Sequence, residues 1–312
     1  MKRTGLIMML ALMLPAFLLA EDPRLATLKD RSSGLVSRQV VAKMMVKDRI
    51  LEVGPVLNAI LKDTREEEKM RLFAMKYLGE MQYKGCSPTL VEITKNKDLS
   101  MDFRKICVET VGAIDDKQTY IEMGTGILLR DDVANVLSQT YVDQIEKSKL
   151  KEDPDIISML GQFMTRSVKD VVKLKALDIL AAHPSKENLT LIMISLSEKN
   201  PVVRKKAVPV VAKLAQADAV TLFISKLEEE TDDEVRAIYA EELNKLPMPK
   251  VRSIWVGDLA FWVAEETVEP IKKNLASALV KLKAANKGSG LSGPDISMPR
   301  NPRPVPKPGK KR

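Results

Sequence analysis

Histidine occurs once in the 312 residues and cysteine twice, which removes most routes to a reactive centre. His183 lies in the loop Ala182-His183-Pro184 with no other His or Cys nearby. It reads as a solvated loop residue rather than a metal ligand, and one histidine does not by itself build a Ser-His-Asp arrangement. Cys86 and Cys107 are too few for a disulfide scaffold. An oxidising compartment would permit one bridge, but Cys107 falls at a core position of its helix and Cys86 in a turn, so the bridge is the less favoured state. There is no Gly-rich phosphate loop after a strand and no Cys or His cluster with metal spacing. Paired acids such as Asp115-Asp116, Asp131-Asp132 and Glu228 to Glu230 lie at helix ends, and acids ahead of Val133 and Val235 favour the helix dipole. The expectation is therefore no cofactor, no metal and no enzymatic activity.

Long apolar runs are also missing, with one exception. Leu6 to Leu19 is nearly all apolar, follows Lys2 and Arg3, and ends at Leu18-Leu19-Ala20 before Glu21-Asp22-Pro23. At 14 residues, interrupted by Pro15, it falls short of the ~20 that a spanning helix needs. Residues 1–20 read as a secretory signal cleaved after Ala20, and no Cys at that point suggests a lipid anchor. The expected location is periplasmic or extracellular.

The charge is unevenly placed. Residues 21–285 carry 41 Lys+Arg against 41 Asp+Glu, whereas 286–312 carry seven basic residues and one acid. A duplex-binding body should have a basic face of its own, so nucleic acid is not the expected partner despite a pI near 9.2. Residues 286–312, with GSGLSGP and then PRNPRPVPKPGKKR, are too poor in apolar residues to fold and read as a disordered Pro-rich basic tail. Residues 300–312 could meet an anionic envelope polymer or membrane. Stacking aromatics for single-stranded nucleic acid are absent there.

What the sequence does have is a repeat. In NPVVRKKAVPVVAKLA, residues 200–215, an Asn-Pro helix start precedes apolar Val203, then Arg204, small Ala207, and Val211-Ala212. The same pattern surrounds Arg71 (Met70, Ala74, Leu78, Gly79), Arg104 (Phe103, Cys107, Val111, Gly112), Lys173 (Val172, Ala176, Leu180, Ala181) and Arg236 (Val235, Tyr239, Leu243). A unit near Ser138 keeps apolar Leu137, Tyr141 and Ile145 without the basic residue, and a weak copy sits at Arg38. Apolar positions at minus one, three and seven lie on one side of a helix, and small residues let a neighbouring helix come close. Upstream of each lies a second apolar-periodic segment, so each unit is a helix pair that must stack on the next to bury its faces.

The pattern resembles HEAT repeats, particularly the bacterial HEAT-like type whose second helix starts D/N-P-x-V-R-x-x-A. Residues 200–207 match that start best, and Asp98 with Arg104 resembles the stacked Asp and Arg ladder of that family. The resemblance covers residues 35–246 and implies an all-α fold: an α-solenoid of about six HEAT-like helix pairs. Residues 21–34 read as a linker and 247–285 as C-terminal capping helices, with Trp255 and Trp262 in the cap. Arg71, Arg104, Lys173, Arg204 and Arg236 take the ladder positions. Pro209 removes a backbone donor inside its helix and predicts a kink.

Function is sought on the side of the second helices opposite the buried arc. It presents Lys69, Phe73 and Lys76; Ile106; Lys175; Lys206 and Lys213; and Ile238. Apolar anchors in a charged groove suit an extended segment or helix of another protein. The sequence is read as an exported non-enzymatic scaffold for a protein partner in a bacterial envelope. The alternative is a tether that holds an envelope surface through its tail.

Overall fold

The computed structural model describes residues 22–128, 135–165, 169–183 and 185–287. The signal sequence, Asp131-Asp132, Pro184 and the tail from residue 288 lie outside them. Among the described residues the regular structure is helical, with short 3-10 turns and no strand. The chain divides into two compact units, Met1–Leu150 and Lys151–Arg312.

In the first unit the helices are α1 (Pro23–Lys29), α2 (Leu35–Lys47), α3 (Val53–Lys62), α4 (Glu68–Glu80), α5 (Ser87–Lys95), α6 (Met101–Ile114), α7 (Lys117–Leu128) and α8 (Val136–Lys147). Odd and even neighbours pair. The even helices α2, α4, α6 and α8 lie side by side as one layer and the odd helices as a second. The second unit repeats this with α9 (Pro154–Thr165), α10 (Asp170–Ala182), α11 (Lys186–Ile194), α12 (Pro201–Ala215), α13 (Ala219–Glu229), α14 (Asp233–Lys245), α15 (Ser253–Glu265) and α16 (Glu269–Ala285).

The repeat pattern accounts for the core. Met70, Ala74 and Leu78; Phe103, Cys107 and Val111; Val172, Ala176 and Leu180; Val203, Ala207 and Val211; and Val235, Tyr239 and Leu243 are all buried. In the pair lacking a basic residue, Ser138 is buried and Tyr141 replaces the small residue. Its hydroxyl donates to the Tyr120 carbonyl at 2.7 Å, and the two rings meet edge to face at 5.9 Å. Helix starts are capped locally: Asn200 accepts from the Val202 amide at 2.8 Å ahead of Pro201, and Asp232 from Val235 at 3.0 Å. Each cap satisfies an amide that the helix itself cannot.

Three expectations change. Residues 21–34 are not a plain linker, because α1 buries Leu25 and Leu28 against the first pair. Residues 247–285 form a pair stacked like the others, α16 on α14 and α15 on α13. Trp262 is buried there and Trp255 half-buried. By length and composition alone Pro201–Glu229 would suffice to cross a membrane. Gln216, at φ 47°, separates it into α12 and α13, and its apolar residues, among them Val203, Val211, Phe223 and Leu227, are core. Pro209 sits on the exposed side of α12, which continues through it to Ala215.

Candidate partner-binding face

The register of the even-numbered helices is held by their basic residues. Arg38, Arg71 and Arg104 are buried, and the Nε of each donates to the carbonyl ten residues upstream: Leu28 at 2.9 Å, Leu61 at 3.0 Å and Thr94 at 2.9 Å. This bond ties the end of each odd helix to the start of its partner. Arg38 then reaches forward to Glu66 with two bonds of 2.9 and 2.8 Å. Arg71 instead lies 4.8 Å from the centre of the Phe103 ring, a cation–π contact.

In the second unit every such basic residue reaches an acid of the following pair. Lys173 meets Glu198 at 2.7 Å. Arg204 donates from Nε and Nη2 to Glu230 at 2.8 and 2.7 Å, and from Nη1 to the Glu198 and Lys199 carbonyls. Arg236 Nε meets Glu266 at 3.1 Å, with Nη2 on Asp233 at 2.6 Å. Hydrogen bonding to Glu230 raises the Arg204 pKa, against the opposing effect of burial. Asp98 is exposed and its amide donates to Asn96 Oδ1 at 2.9 Å, while Arg104 turns to Thr94. The acids Glu66, Glu198, Glu230 and Glu266 were not anticipated. Their signal is a spacing: each stands five or six residues before the basic position of its own pair.

With the pitch held this way, the outward side of the even helices is defined. In the first unit Lys69 and Lys76 are exposed, the latter 3.7 Å from Glu80. Phe73 is half-buried with its ring 4.4 Å from Tyr77, and Ile106 is half-buried. Val36 and Val40 stand at the same offsets from Arg38 and are 72% and 52% exposed. Val40, Phe73 and Ile106 therefore share one register on three adjacent helices, some 8–10 Å apart by usual helix packing. Val36 and Val40 were missed because the Arg38 copy is the weakest in sequence.

The second unit presents a different face. Lys206 meets Asp178 of the preceding pair at 2.5 Å, Lys205 meets Glu234, and Lys245 meets Glu241 at 2.7 Å. Lys175 and Ile238 are half-buried and Lys213 is exposed. The eight candidate residues thus fall four to each unit and are not one continuous surface.

The rare residues occupy quiet settings. Cys86 and Cys107 are free and fully buried. Burial pushes the Cys86 thiol up to about 12 and Cys107 higher still. His183 is less solvated than expected: its amide closes α10 on Leu180, and Nδ1 lies 3.7 Å from Glu152. Among the described residues no group of three His, Cys, Asp or Glu side chains could hold a metal ion.

The chain is an all-α protein built of stacked HEAT-like helix pairs. No family model matches it, and no curated protein matches it in sequence. Among solved structures it is similar to human deoxyhypusine hydroxylase in complex with glycerol, at 17% identity and TM-score 0.34, over 83% of this chain and 94% of that one. It is also similar to the CpcE–CpcF complex of phycocyanin lyase from Nostoc sp. PCC7120, at 15% identity and TM-score 0.28, over 84% and 95%. Likenesses this distant assign no activity or ligand. They do correct one expectation: a chain of this helical-repeat kind is a hydroxylase, so the exclusion of enzymatic activity is withdrawn.

Proposed function

We propose that this chain is an exported, bacterial HEAT-like scaffold that holds a segment of another envelope protein along the even helices of its first unit. The observation that carries the reading is the apolar row Val40, Phe73 and Ile106, set among Lys69, Lys76 and Glu80. A face that met only water would favour charge at these positions, as Lys206 and Lys175 do in the second unit. Apolar side chains at a fixed spacing, rimmed by ion pairs, suit an amphipathic helix or extended peptide. Lys2, Arg3 and the apolar run after them support export.

A photo-crosslinking residue placed at Val40 or Phe73, in the native envelope, tests this. A discrete protein adduct from both positions and none from exposed Lys62 on α3 is the expected result. Adducts of equal pattern from Lys62 would remove the reading. The second reading is a tether in which the basic residues of 300–312 hold anionic polymer or membrane. It rests on their charge, and deleting 299–312 should abolish salt-sensitive envelope association while leaving the adduct at Val40.

A further inference from the structure

The last pair carries the stacking apparatus of a unit that has something after it. Lys272 stands six residues beyond Glu266, as Arg204 stands beyond Glu198 and Arg236 beyond Glu230. Ala276 and Val280 follow at four and eight residues, placing all three on one side of α16. The equivalent residues of α12, Val208 and Ala212, are buried. On α16, Lys272 and Ala276 are half-buried and Val280 is 68% exposed. Val263, Pro270, Lys272 and Ala276 also line a cavity of about 650 Å³ beside this face.

The described chain ends at Lys287, one turn beyond α16. The residues that follow contain apolar Leu291, Ile296 and Met298, and Asp295, which is the only acid after Glu269. From Lys287 back to Lys272 is about 22 Å along a helix at ~1.5 Å per residue. An extended strand of residues 288–295 spans about 26 Å at ~3.3 Å each. Leu291 would then come level with Val280, and Gly288 and Gly290 permit the reversal that sends the chain back.

We infer that residues 291–298 fold back along α16 and close the open end of the second unit, Leu291 and Ile296 covering Val280 and Ala276 and Asp295 meeting Lys272. The tail segment takes the place of a further pair, and Asp295 takes the place that Glu230 and Glu266 hold for Arg204 and Arg236. The charge is complementary, since the face offers Lys272, Lys273 and Lys283 and the segment offers the one available carboxylate. This assignment stands independently of the partner face on the first unit.

Two truncations of the full chain, one ending at Lys287 and one at Met298, provide the test by amide hydrogen exchange. Exchange in α16 should quicken several-fold in the shorter chain and match the full-length protein in the longer. Equal exchange in both would overturn the inference. A second measurement uses Ala276→Cys with Ile296→Cys in the full chain, where Cys86 and Cys107 are buried. Mild oxidation at low concentration should give a bridge within one chain. A bridge joining two chains would assign the face to a second copy, and absence of any bridge would show it uncovered; either result refutes the fold-back.

Discussion

Arg236 and Glu266 meet at 3.1 Å with side chains 8% and 0% exposed, and the same carboxylate accepts from the Thr267 and Val268 amides at 3.0 Å each. One acid therefore joins two pairs and caps the start of α16. Removing a single partner of a buried ion pair typically costs about 3–5 kcal/mol. Glu266→Ala should fall in that range by urea denaturation. Arg236→Met with Glu266→Leu should recover part of it, because no charge is left unpaired. A loss below about 1 kcal/mol for Glu266→Ala would show the joint to be peripheral.

Glu66 supplies a pH-dependent counterpart. The Arg38 hydrogen bonds hold its carboxyl below the ordinary value of 4.5, against the opposing pull of burial. Its folded pKa is depressed, so its contribution is complete above about pH 4.5 and is lost as the pH falls through the folded value. Stability measured against pH should drop below about pH 4.5, and Arg38→Met should flatten that limb. A limb of unchanged steepness would assign the acid sensitivity elsewhere.

The outward row separates binding from folding at Val40. This side chain is half exposed, and surface substitutions of that kind shift stability by about 0.5 kcal/mol or less. Val40→Ser should leave the melting temperature nearly unchanged and weaken partner crosslinking. Phe73→Ser should affect both, since its ring lies against Tyr77. If Phe73→Ser and Ile106→Ser lowered thermal stability without altering crosslinking, the row would be packing alone.

Pro209 invites the opposite change. It lies in the interior of α12 on an exposed side, where proline costs about 3 kcal/mol relative to alanine in a host helix. Pro209→Ala removes no buried contact and restores a backbone donor. The variant should be more stable by roughly 1–3 kcal/mol. Unaltered or reduced stability in guanidinium would mean that the helix depends on proline at this point.

The helix pairs were legible because their rule is local. Apolar residues around Arg71, Arg104 and Arg204 repeat at helical spacing, and an Asn-Pro start sets where α12 begins. The partners of those arginines were harder to read. Asp98 has the right chemistry and the right offset, yet it faces water, while Arg71 settles on the Phe103 ring. Glu66 and Glu198 differ by one residue in their spacing, and that choice depends on how each turn closes. The outward face was half legible for a similar reason: Phe73 and Ile106 follow strong copies of the pattern, while Val36 and Val40 hang on a copy recognised through Arg38 alone. Lys206 looked free to bind a partner because the sequence does not reveal that Asp178 lies beside it.

The arginine bonds also carry a history of assembly. In α2, α4 and α6 the Nε bond spans ten residues within one pair, so each of these hairpins can knit its own turn as soon as it is made. Arg204 and Arg236 commit Nε to a glutamate 26 and 30 residues ahead and must wait for chain not yet emerged. The first unit is accordingly built to acquire order hairpin by hairpin during synthesis, and the second to snap together late, with α16 as the piece that completes it.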